Sequence, residues 1–214
     1  MIKKLALIIG FIICLSSCGK DYVYRIEGEL SNLEDQTVYA VFEKDNYKVV
    51  DTVACTKPGQ FQIDQHEAGF HCVTIFFADK EHWVTAYLEP GETVKITGDA
   101  NSPLLLQVKG GRTNDKLTAF KKKIAPLLTE LTNLSNSLNS KDLNDTIEET
   151  DIAARLANVN MQLSEEAIRY VKENPNEEAS VVLIQSFFSD PDDTRKIDEL
   201  LALLNPSRYA APVI

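Results

Sequence analysis

The chain has 214 residues, enough for one large or two small domains around a substantial core and too few for an elaborate multidomain enzyme. Apolar residues at 44%, charged residues at 25%, nine glycines and eight prolines exclude collagenous and wholly disordered classes. With 32 acids against 22 lysines and arginines the net charge is −10, the wrong sign for a phosphate backbone, so no nucleic acid partner is expected.

Residues 1–17 read as a signal segment: Lys3 and Lys4 form a basic start, and Leu5 to Leu15 form an apolar run interrupted only by Gly10. That run spans about 16 Å as a helix, roughly half the hydrocarbon thickness, so it targets the chain and does not span a bilayer. Leu15-Ser16-Ser17-Cys18 follows and resembles the lipobox of bacterial lipoproteins. The resemblance implies cleavage before Cys18 and a diacylglycerol thioether on its sulfur, which makes this covalent lipid the only cofactor expected and the membrane a partner. The alternative is an ordinary signal peptide with Cys18 incidental. Cleavage removes two lysines and no acids, taking the charge to −12, so the lipid and not a basic patch would hold the body at the bilayer. Gly19 stands where the lipoprotein family's inner-membrane retention signal has Asp, which implies the periplasmic face of the outer membrane.

From residue 18 to 109 the segments are short, β-branched or aromatic, and separated by turn residues. Strands are expected over Tyr22–Leu30, Thr37–Phe42, Lys48–Cys55, Gln60–Ile63, Phe70–Ala78, Trp83–Glu89, Thr93–Thr97 and Leu104–Val108. Lys57-Pro58-Gly59-Gln60 and Glu89-Pro90-Gly91-Glu92 place proline and glycine as a type II turn requires. In the fifth segment both alternating sets are largely apolar, as in a central, covered strand. These features predict an antiparallel β-sandwich.

Past Gly110-Gly111 the period changes from two to about 3.6, and residues 110–205 read as helical. Ile124, Leu127, Leu128, Leu131, Leu134 and Leu138 make one stripe, which Pro126 kinks or starts. Ile152, Leu156, Val159, Leu163, Ile168 and Val171 make a second, and the two are expected to pair as a helical hairpin. Asn174-Pro175 and Asp190-Pro191 read as helix starts, giving two short helices over Asn176–Phe188 and Asp192–Leu204. Residues 206–214 show no element. The predicted class is α+β: an N-terminal antiparallel sandwich, a helical hairpin and two short helices.

Four segments carry a further resemblance. They are Val50-Asp51-Thr52-Val53 with Gly59-Gln60-Phe61; Leu88-Glu89-Pro90-Gly91-Glu92-Thr93-Val94-Lys95-Ile96-Thr97-Gly98; Val108-Lys109-Gly110-Gly111-Arg112-Thr113-Asn114 leading to a first helix with Leu117 and Phe120; and Tyr170-Val171-Lys172-Glu173-Asn174-Pro175-Asn176 ahead of Val181-Val182-Leu183-Ile184. In this order they resemble the N-terminal domain of unknown function that precedes thioredoxin-like domains in lipoproteins of Bacteroidetes-type bacteria. The resemblance implies a β-rich envelope domain with a helical extension. Its redox centre would lie in a following domain, so no redox residue is carried over to this chain.

Candidate chemistry in the mature chain is sparse. Cys55 and Cys72 either form a disulfide or stand as two separate buried cysteines. His66-Glu67-Ala68-Gly69-Phe70-His71 has one residue too many for a His-Glu-x-x-His zinc helix and reads as a turn into a strand; His82 joins it only if the strands align. Asp190-Pro191-Asp192-Asp193 lacks the glycine and glutamate of a calcium loop. Trp83, Tyr87, Tyr22, Tyr24 and Tyr39 form either a binding platform or core and cross-strand pairs. No catalytic residue and no metal ligand is expected. The function expected is a non-catalytic, lipid-anchored envelope module that binds a protein partner beside a thioredoxin-like lipoprotein, with two alternatives: the N-terminal part of a thiol-disulfide oxidoreductase whose catalytic domain is missing, or a glycan- or small-ligand-binding lipoprotein.

Overall fold

The structure, a computed structural model, describes residues 22–34, 37–77, 81–140, 146–188 and 195–204. Cys18 and the signal segment, the Asp190-Pro191-Asp192-Asp193 stretch and the tail at 206–214 lie outside the described residues.

Eight strands follow the predicted order: β1 (Tyr24–Ser31), β2 (Thr37–Glu43), β3 (Lys48–Ala54), β4 (Gln60–Gln65), β5 (Cys72–Phe76), β6 (Trp83–Tyr87), β7 (Thr93–Asp99) and β8 (Gln107–Lys109). They form two four-stranded sheets, ordered β4-β1-β7-β8 and β3-β2-β5-β6. The alternating residues Ile26 and Leu30 of β1, Val38 and Phe42 of β2, Ile75 of β5 and Ile96 of β7 turn inward to one shared core, as two-residue periodicity requires. β5 is central, with Val73 and Ile75 fully buried and Cys72, Thr74 and Phe76 half-buried on its other side.

One pairing departs from the antiparallel expectation: β1 and β7 run parallel, with Ile26 opposite Val94 and Gly28 opposite Ile96. The other pairings are antiparallel. Within each sheet odd-numbered strands run one way and even-numbered strands the other. β1 and β7 become neighbours once β2, β3, β5 and β6 have gone to the other sheet, and two odd-numbered neighbours have to be parallel.

Both Pro-Gly turns form as expected, with Gln60 N–H donating to Lys57 O at 2.9 Å and Glu92 N–H to Glu89 O at 3.1 Å. A short 3-10 turn over Pro103–Leu105 replaces the start of the predicted eighth strand.

Five helices follow among the described residues: α1 (Arg112–Lys123), α2 (Ala125–Ser140), α3 (Thr146–Glu173), α4 (Glu178–Phe188) and α5 (Arg195–Leu201). α2 and α3 form the expected hairpin around Leu128, Leu134, Val159 and Leu163, and Glu130–Arg155 and Lys123–Glu166 ion pairs bridge to α3 in antiparallel order. Pro126 sits in the first turn of α2, where its missing N–H costs nothing. The helix not set apart by periodicity is α1.

Asn174 does not begin α4 as predicted. Its backbone N–H and its side-chain Nδ2 both donate to Tyr170 O at 2.9 Å, so it closes α3, and α4 starts at Glu178 after a turn. Among the described residues, every member of the three apolar clusters lies within 22–204, so a chain beginning at Gly19 retains all of them.

Candidate functional site

The helical and β halves meet at α1. Its first two turns bury polar residues, Asn114 at 2% exposure and Thr118 at 5%, against the open edges of both sheets. β6 ends one sheet and β8 the other, and the outward-facing N–H and C=O of such strands need partners. Asn114 supplies them for β6: Oδ1 accepts from Tyr87 N–H at 2.8 Å, and Nδ2 donates to Tyr87 O at 2.7 Å and to Gly110 O at 2.6 Å. Thr118 does the same for β8, with Oγ1 accepting from Val108 N–H at 3.0 Å and donating to Val108 O. Arg112 N–H donates to Glu89 Oε1 at 2.7 Å, the Arg112 guanidinium reaches Glu177 Oε1 at 2.7 Å just before α4, and Thr113 Oγ1 donates to Glu178 Oε2 at 2.8 Å, so the same helix is bound to the start of α4.

Docking α1 in this way leaves an open apolar groove of about 440 Å³ along β6, within the size range of small-ligand sites. Trp83 and Tyr87 form the strand wall, Leu117 and Phe120 the α1 wall, and Val182 and Phe187 the α4 wall. Trp83 and Leu104 stand at the rim, 54% and 42% exposed. Phe120 holds the walls together by edge contacts with Tyr170 and Phe187, at ring separations of 5.4 and 6.4 Å.

Two groups in the groove titrate away from their ordinary ranges. Burial pushes the Tyr87 phenol up to about 12, with the acidic neighbours Cys72 and Glu43 adding to it. Burial alone lowers Lys121, and no carboxylate among the described residues is close enough to hold its ammonium up. Lys121 Nζ has a single long contact, to Leu106 O at 3.5 Å.

Of the five candidate aromatics, only Trp83 and Tyr87 reach this groove. Tyr24 is core, its hydroxyl accepting from Gly69 N–H at 3.0 Å; Tyr22 lies under the Arg25 guanidinium; Tyr39 pairs with Phe76 across strands. A single platform therefore does not form. Lys121 and Leu104 are not among the candidate site residues of the sequence, and Asn114 enters there only as the end of the third matched segment. Leu117, Lys121, Ile124 and Leu128 recur at intervals of four, three and four, so the readable signal was a lysine within an apolar stripe.

No disulfide joins Cys55 and Cys72. Cys55 follows Ala54, which pairs with Thr37 at one end of β2, whereas Cys72 pairs with Glu43 at the other. Six residues of strand separate those ends by about 20 Å, against the roughly 7 Å between Cα atoms that a bridge tolerates. Cys72 is half-buried, and burial together with Glu43 pushes its thiol up to about 11. In the chain from Gly19, iodoacetamide at pH 8 should modify Cys72 at least about tenfold more slowly than an unperturbed thiol, accelerating as pH approaches 11. Peptide mass spectrometry reads the rate; parity with a free thiol at pH 8 contradicts this burial.

The His66–His71 stretch is a loop between β4 and β5, in which His71 Nε2 lies 2.8 Å from Asp45 Oδ1. Among the described residues no group of three or more His, Cys, Asp and Glu side chains has the arrangement of a metal site, and no helix is long and apolar enough to cross a membrane.

Residues 24–117 match the family model described as a domain of unknown function (DUF4369), a span that runs from β1 into α1 and includes Asn114. No curated protein and no solved structure matches the chain.

Proposed function

We propose that this chain is a non-catalytic binding module of the cell envelope, tethered by a lipid on Cys18 at the periplasmic face of the outer membrane. The observation that supports binding is the groove: a concave apolar site with an exposed tryptophan and leucine at its mouth, built where two sheet edges and two helices meet. The tether rests on the lipobox resemblance, and a place beside a thioredoxin-like lipoprotein rests on the four sequence matches that end in α4. A ligand-binding reading is favoured over a flat contact surface because three walls enclose the site.

The test has two arms. A neutral apolar dye should bind the chain from Gly19, and Val182→Phe, which puts a ring into the groove, should weaken it at least about tenfold while leaving the thermal midpoint within a few degrees. Dye binding unaffected by that ring would remove the groove from the function. For the tether, the full chain made in a bacterium with a lipoprotein pathway should partition into detergent with the outer membrane. The Cys18→Ala chain should lose that partitioning, and its persistence would overturn the lipid anchor.

A further inference from the structure

The groove contains one feature that an apolar dye does not use. Lys121 projects from α1 between Leu117 and Ile124 on the apolar stripe, lines the groove, and has only the 3.5 Å contact to Leu106 O. An ammonium taken from water into apolar surroundings costs several kcal/mol unless an anion meets it. Elsewhere on α1, basic side chains at its two ends meet carboxylates: Arg112 with Glu177 and Lys123 with Glu166. In a chain of net charge −10 with 32 acidic side chains, this half-buried lysine has no carboxylate within ion-pair distance among the described residues. The side chains around it supply apolar surface: Trp83, Leu104, Leu117, Leu128 and Phe187.

We infer that the groove binds a singly charged amphipathic carboxylate, with its head on Lys121 and its apolar part between β6, α1 and α4. This rests on the groove being the binding site and adds the class of ligand. One ammonium beside one backbone carbonyl suits a head with a single charge; a doubly charged phosphate monoester would bring excess negative charge against Leu106 O without a second cation among the groove-lining residues. A charge-assisted pair in an apolar site is stronger than its exposed equivalent, so the head contributes affinity as well as orientation.

Trp83 is the only tryptophan in the chain and stands at the mouth, so its emission reports entry directly. The experiment titrates the chain from Gly19 with decanoate and, separately, with decanol, both below their aggregation concentrations, for wild type, Lys121→Met and Lys121→Arg. Wild type should bind decanoate at least about tenfold more tightly than decanol. Lys121→Met should abolish that preference by weakening decanoate while leaving decanol unchanged, and Lys121→Arg should preserve it. Decanoate and decanol binding wild type equally, or Lys121→Met keeping the preference, would overturn the head contact and leave the groove reading standing. Neither ligand perturbing Trp83 would overturn both. If Lys121→Met fails to fold, the wild-type preference and its survival in Lys121→Arg decide the matter.

Discussion

Asn114→Ala is expected to destabilise the chain from Gly19 by about 3 kcal/mol or more in urea unfolding at neutral pH. The substitution removes three hydrogen bonds at once and leaves the Tyr87 N–H, the Tyr87 C=O and the Gly110 C=O without their partner. Asn114 is 2% exposed, so water does not replace the amide without opening the α1 contact. An unpaired buried backbone group costs about 1–3 kcal/mol, and the three losses add only in part. Asn114→Asp separates the contributions: its carboxylate still accepts from Tyr87 N–H but presents negative charge to two carbonyl oxygens, so it should be no better than alanine. Hydrogen exchange supplies a local readout, since the Tyr87 amide should lose protection in Asn114→Ala. A loss below 1 kcal/mol, with Tyr87 still protected, would show that α1 does not close the β6 edge.

The second large effect separates two turns of the same sequence type. Gly59→Ala should cost about 3 kcal/mol or more, whereas Gly91→Ala should cost about 1–2 kcal/mol. Both glycines have positive φ, +75° and +82°, and each closes a Pro-Gly turn with its expected hydrogen bond. The left-handed backbone penalty of a side chain therefore applies to both. The surroundings differ. A methyl group on Gly91 would meet nothing within 4 Å, while one on Gly59 would lie 1.9 Å from the Leu30 carbonyl oxygen, a backbone atom of β1. Gly59 O also accepts from Leu30 N–H at 2.8 Å, so moving the turn away loses that bond. Equal midpoints for the two variants in parallel thermal melts would show that β1 yields freely at Leu30.

The same contrast explains how much of the molecule was legible beforehand. Alternation located all eight strands within a few residues because side chains on a pleated strand point to opposite faces regardless of which strand lies beside them. The hairpin of α2 and α3 was legible for the equivalent reason at a period of 3.6. Asn174 departs from the helix start expected of it because its side chain has two local choices: to accept from the following turn, or to donate to the preceding one. The donation to Tyr170 O prevailed. Lys121 is not legible as a site residue because a lysine in an apolar stripe acquires meaning only from the elements packed across from it, here β6 and α4.

The amino-acid sequence by itself determined the change of period near Gly110, the α+β class and both Pro-Gly turns. These depend on energies between residues close along the chain. Tertiary structure alone decided the parallel β1–β7 pair, the separation of Cys55 from Cys72, the cost of a methyl group at Gly59 and the groove around Lys121. Each of those depends on which distant segment becomes a neighbour, and that follows from how two sheets and five helices share buried surface and satisfy their edge hydrogen bonds together.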